Sequence, residues 1–161
     1  MKNTNQLVFY RSVFYLYIAS ILFIGISLFM SFHSFGNSSI LFLILEFIIL
    51  CWFIKFPYLG WICLKKQQQW GFLDYTELCN KLSSSSIKSE KADLKSCIWI
   101  VSKRTTKALI TFIVASIAYI VYFVLDENQI TLYYDTLIFC IIIILFLYSL
   151  FQFIISLVES F

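Results

Sequence analysis

Four polar side chains stand where apolar neighbours make them chemically conspicuous. Glu46 and Lys55 lie inside the stretch from Ile40 to Leu64, Arg11 near the start of an apolar run over 7–30, and Gln152 within another over 132–158. An ionisable group at bilayer depth costs roughly 2.5–3.5 kcal/mol on insertion scales, so it turns toward other helices, a partner or water. Glu46 and Lys55 are nine residues apart, which on one straight helix means ~13 Å along the axis and about 180° around it. They cannot pair with each other. By depth, Arg11 and Lys55 share the inner half with Gln152 and Glu159, whereas Glu46 is level with Tyr119 and Tyr122 of a further apolar run. Two chemistries follow. Glu46 is a proton or cation site, with Lys55 or Arg11 along an inter-helix path, or it is a polar lock: a neutral, protonated acid donating to a tyrosine or a carbonyl, or a contact with a partner subunit.

Other chemistry is excluded by what the chain lacks. A single histidine, His33, rules out paired-histidine haem ligation within the chain and any H-E-x-x-H zinc site. Four glycines, none in a G-x-G-x-x-G or P-loop array, leave no nucleotide cradle. The five cysteines form no C-x-x-C pair and avoid both expected outer connectors, so they read as packing residues or inert thiols. No catalytic residue, cofactor or metal is expected, and the chain does not read as an enzyme.

The elements that hold these residues are set by composition. Of 161 residues, 61% are hydrophobic and 20% aromatic, with a mean hydropathy of +0.88, far above a soluble domain. A helix needs about 20 apolar residues to cross a bilayer. Four such runs are present, near 7–30, 40–64, 107–126 and 132–158. The fold class expected is an all-α membrane protein: one transmembrane domain over 1–161, a four-helix bundle of two hairpins. The first run is longer than a signal peptide's apolar core and ends in no A-x-A-like site, so it is read as an uncleaved span. Pro57 should kink or end the second span near Lys55 and Phe56. Polar connectors are expected over Ser31 to Ser39, with Gly36 and Asn37 as turn formers, and over Asp126 to Tyr134.

Nine of the twelve basic residues fall between Lys65 and Lys107, against Asp74, Glu77, Glu90 and Asp93. The positive-inside rule therefore makes 65–106 a cytoplasmic loop and puts both termini on the same side, in a plasma (bacterial inner) membrane. Interspersed acids, and the affinity of such charge for anionic headgroups, favour the lipid bilayer over nucleic acid as its partner. Within the loop, Asp74 and Glu77 have the spacing of a capping box that opens a short helix with Tyr75, Leu78 and Leu82 on one face. A second helix is expected from about Ser89, with Leu94, Ile98 and Val101 in register. No Gly or Pro separates it from the third span, which it could enter without a break. Trp70, Phe72, Trp99 and the CIWIV run suggest a surface lying on the bilayer or docking a cytosolic partner.

Packing is legible in two runs. Ala108, Thr111, Ala115 and Ala118 form a small-residue stripe of the kind that lets helices approach closely in lipid, and Ser149, Gln152, Ser156 and Glu159 repeat its spacing on a face expected to look inward. The four-span layout with a basic loop is similar to that of immunity proteins against pore-forming bacteriocins and of accessory subunits of larger assemblies. The expected function is accordingly that of a small interaction protein binding another membrane protein or copies of itself. A small channel or proton- or cation-coupled transporter using Glu46 is the alternative.

Overall fold

The computed structural model describes residues 2–34, 40–127 and 135–160, all helices and short turns. Seven helices follow one another: α1 Lys2–Ser34, α2 Ile40–Phe53, α3 Lys55–Trp70, α4 Tyr75–Ser84, α5 Lys88–Val101, α6 Lys103–Glu127 and α7 Asp135–Ser160. Four stretches are long and apolar enough to cross a membrane: Asn3–Phe29, Leu43–Trp70, Lys103–Asp126 and Asp135–Glu159. Their outer faces carry exposed Ile44, Phe47 and Ile48 on α2, Val114, Ile117 and Val121 on α6, and Ile144, Leu147 and Phe151 on α7. Apolar side chains turned outward over this area suit a hydrocarbon solvent, as an integral membrane protein requires.

The break at Ile54 between α2 and α3 follows from Pro57. Proline sits third in α3, where its missing N–H is one that a helix start leaves unbonded anyway. Ile54 N–H still donates to Leu50 O at 3.1 Å, so the two segments remain closely joined. Helix α3 ends at Gly71 in the left-handed conformation (φ 80°), followed by Phe72 at φ 58°. The buried Gln67 clasps this turn. Its Oε1 accepts from Leu73 N–H at 2.9 Å while its Nε2 donates to Leu73 O at 3.2 Å. Helix α4 opens with the capping box that Asp74 and Glu77 predict: Asp74 Oδ1 accepts from Glu77 N–H at 2.7 Å, and Glu77 Oε2 accepts from Asp74 N–H at 3.0 Å.

Ring and side-chain contacts fix the register. Helices α1 and α6 run parallel, with Phe23 6.2 Å from Phe112 and Phe29 4.8 Å from Phe123. Helix α7 returns antiparallel to α6, setting Ser149 against Ala108 and Tyr122 against Phe139. Helix α3 runs antiparallel to α1, and at its entry Phe53, the last residue of α2, stacks on Phe23 of α1 at 3.8 Å. Gly60 permits their close approach, because a Cβ there would already meet Leu16 at 3.4 Å and the Tyr17 ring at 3.6 Å. The core collects at the end of the molecule where the short helices lie. Phe9, Val13, Leu16 and Ala19 of α1 meet Phe56 and Cys63 of α3, Leu78 of α4, Leu94 to Ile100 of α5 and Leu109 of α6.

Three sequence expectations are corrected. Helix α1 continues through Ser34, so the connector expected from Ser31 starts later; Gly36, Asn37 and 128–134 lie outside the described residues. Helices α5 and α6 are not one helix. The chain turns at Ser102 (φ −55°, ψ 133°), whose N–H caps Ile98 O and Trp99 O and whose carbonyl accepts from Thr106 N–H at 3.0 Å. The turn lets α5 pack on α1, α3 and α7 while α6 takes a separate path along α1 and α7, which one straight axis could not do. Finally, the CIWIV run is core. Cys97, Trp99 and Ile100 are at most 1% exposed, and the Trp99 ring packs 5.5 Å from both Phe56 and Phe153.

Candidate functional site

Helix α2 is sparsely packed. Among the described residues its Cα atoms come within 8 Å of α1 and α3 and of no part of α6 or α7. Glu46 sits half-buried on this helix between exposed Leu45 and Phe47. No described residue hydrogen-bonds or ion-pairs with its carboxylate. The expected meeting of Glu46 with Tyr119 and Tyr122 therefore does not occur within the chain. Those tyrosines lie on the α6–α7 seam instead, Tyr119 edge-on to Phe146 at 6.4 Å and Tyr122 5.6 Å from Phe139. Lys55, the first residue of α3, and Arg11 are exposed, and neither forms an ion pair with Glu46.

Three residues of the polar face of α7, Ser149, Ser156 and Glu159, have partners at the start of α6. Ser149 Oγ donates to Ala108 O at 3.0 Å, the Ser156 and Thr105 hydroxyls are hydrogen-bonded to each other, and Glu159 pairs with Arg104. Gln152 is half-buried beside them. On α6, Ala108 and Ala115 are buried at 1% and 0% exposure, and α7 is the helix most closely packed on α6. Ala118 and Thr111 are half-buried; Thr111 spends its hydroxyl on Lys107 O at 2.8 Å.

A cavity of about 250 Å³ lies between α1, α6 and α7, capped by Phe53 and Phe56. Its walls are chiefly apolar, with Phe23, Phe112, Phe146 and Phe153 beside leucines and alanines. The two serine hydroxyls on it are already committed to carbonyls, Ser20 to Leu16 O at 2.8 Å and Ser149 to Ala108 O. Such a chamber offers an ion no ligands, and none of Glu46, Lys55, Arg11 and Gln152 lines it.

Sequence reading overlooks the burial of Gln67, and although it treats the cysteines as packing residues or inert thiols, it does not bring Cys63 and Cys97 together. Both cysteines are fully buried, facing each other from α3 and α5. A hydrogen bond with Cys63, reinforced by burial, pushes the Cys97 thiol well above the ordinary thiol range. The chemistry there is that of an inert, protonated thiol. A signal for this burial was present: five consecutive apolar residues from Cys97 to Val101 cover every side of a helix, and a helix apolar all round is a buried one. Compared with known protein families, curated proteins and solved structures, the chain matches none.

Proposed function

We propose that this chain is a small polytopic interaction protein, an accessory-subunit or immunity-type protein. In this reading it forms a four-helix bundle with both termini cytoplasmic and offers the open face of α2, with Glu46 at its centre, to another membrane protein or a second copy. The observation that carries the reading is the half-buried Glu46 carboxyl, which has no hydrogen-bond or ion-pair partner among the described residues, on a helix that packs on α1 and its own continuation α3. A carboxyl left in hydrocarbon is costly, and a partner helix bearing a donor offsets that cost.

The transporter reading needs a polar path past Glu46. The apolar chamber between the helices is lined by none of Glu46, Lys55, Arg11 and Gln152, and the larger cavity at the start of α6 by Arg11 alone of the four. The separating experiment takes the purified chain alone into liposomes and, in parallel, captures it from native membranes in mild detergent. The interaction reading expects no charge-selective flux and a stoichiometric second subunit or a discrete homo-oligomer. Flux from the chain alone, abolished by Glu46→Gln, would replace it with the transporter.

A further inference from the structure

A second cavity, of about 950 Å³, opens where the start of α1 meets the α5–α6 turn and the residues entering α4. Among the described residues four cations line it, Arg11 from one side and Lys103, Arg104 and Lys107 from the other, with Asp74 as the one acid. The charge is poorly balanced. Asp74 is engaged by Glu77 N–H, and Arg104 is taken up by Glu159. Among the described residues the Lys107 ammonium has the Tyr148 ring, 5.9 Å away, and no ion pair. Among the described residues Arg11 and Lys103 have no hydrogen-bond or ion-pair partner.

Helix α6 deepens the imbalance. Its first turn and a half holds three cations and its first turn no acid, although the start of a helix carries free N–H groups and the positive end of the dipole. An arrangement unfavourable by itself becomes favourable with an anion bound. Depth identifies the anion's source. The register that sets Phe23 against Phe112 and Phe29 against Phe123 brings Arg11 level with Lys103, just before the apolar run of α6 begins at Ala108. That is headgroup depth, and the cavity continues from its cations onto apolar Val8 and Ile110, as a molecule with a charged head and a hydrocarbon body requires.

We infer that this cavity is a binding site for the phosphate-bearing headgroup of an anionic bilayer lipid, gripped between Arg11 and the first turn of α6. The site lies apart from the α2 face and stands whether or not that face binds a protein. The test places the full chain in phosphatidylcholine nanodiscs doped with phosphatidylglycerol and counts the lipids it retains by native mass spectrometry. Wild type should hold phosphatidylglycerol over phosphatidylcholine by roughly tenfold, as expected when a few cations each favour an anionic headgroup severalfold. The doubly substituted Arg11→Gln, Lys103→Gln chain should approach parity, while Lys88→Gln with Lys91→Gln, which removes equal charge from exposed positions outside the cavity, should match wild type. Absence of preference in wild type, which needs no variant to fold, would overturn the site. An equal loss in the control pair would reduce it to diffuse surface charge, and displacement of the lipid by inorganic phosphate would show that a soluble anion is the ligand instead.

Discussion

At Glu46 a carboxyl sits on an apolar helix without a hydrogen-bonding neighbour among the described residues, so removing it should cost the isolated chain nothing. Glu46→Leu is expected to leave thermal stability in detergent unchanged or raised, because substitutions that break no contact fall within about 0.5 kcal/mol of neutral. Glu46→Gln keeps a donor and an acceptor of the same shape and should retain partner binding to within ~1 kcal/mol. A marked loss of stability in the leucine variant would mean that the carboxyl is satisfied inside the chain. Cys97 makes the complementary case, a group whose proton is held by its surroundings. Its thiol is raised in the folded chain, so the folded state keeps a proton that the unfolded chain releases above about pH 8.5. The associated stability is complete below that pH and declines as pH rises through and beyond it. Melting in detergent should therefore fall more steeply between pH 8.5 and 10 in wild type than in Cys97→Ala, and parallel curves would remove the thiol from the account.

Among elements, the α6–α7 seam depends on small residues at contact. Ala115 is fully buried and, by helical spacing, shares the face of α6 on which Phe112 and Tyr119 meet Phe146 of α7, so Ala115→Leu should lower stability by about 1–3 kcal/mol through overpacking, whereas the isosteric exchange Ile113→Leu should cost less. Equal melting temperatures for the two would detach the seam from Ala115. The elements differ in how plainly the sequence declares them. Four spans are legible because an apolar run of bilayer length is a matter of composition. The α2–α3 break and the α4 cap are legible because Pro57 and the Asp74–Glu77 pair act over a single helical turn. Helix α5 is legible at its start, expected near Ser89 and observed at Lys88, but its end at Val101 and its burial are not, because its first half is hydrophilic and its burial depends on contacts with α1, α3 and α7. Nor could the sequence tell that α2 stands clear of α6. Depth along a span sets the level of Glu46, Tyr119 and Tyr122, but which helices touch is decided by packing surfaces, and hydropathy is blind to those. The same limit applies to the polar residues of α7: their inward face was readable from spacing, their individual partners Ala108, Thr105 and Arg104 were not.

For the whole molecule, the charge distribution sets an orientation to be tested directly. With nine basic residues between Lys65 and Lys107, the segment containing Ser84 should be cytoplasmic. In a background without reactive native thiols, a cysteine at Asn37 should react with an impermeant reagent applied to intact cells and one at Ser84 should not; the reverse pattern would invert the topology. The central claim is that the open face of α2 is covered by another protein, and the most direct measurement is photo-crosslinking from that face in native membranes. A photoreactive residue at Phe47, 67% exposed and adjacent to Glu46, should yield a protein adduct of discrete mass, either a second membrane protein or a copy of this chain. That adduct should persist with Glu46→Gln and disappear with Glu46→Leu, while the same probe at the equally exposed Ile144 of α7 should label lipid. Lipid adducts alone at Phe47, or a protein adduct indifferent to Glu46→Leu, would contradict the account.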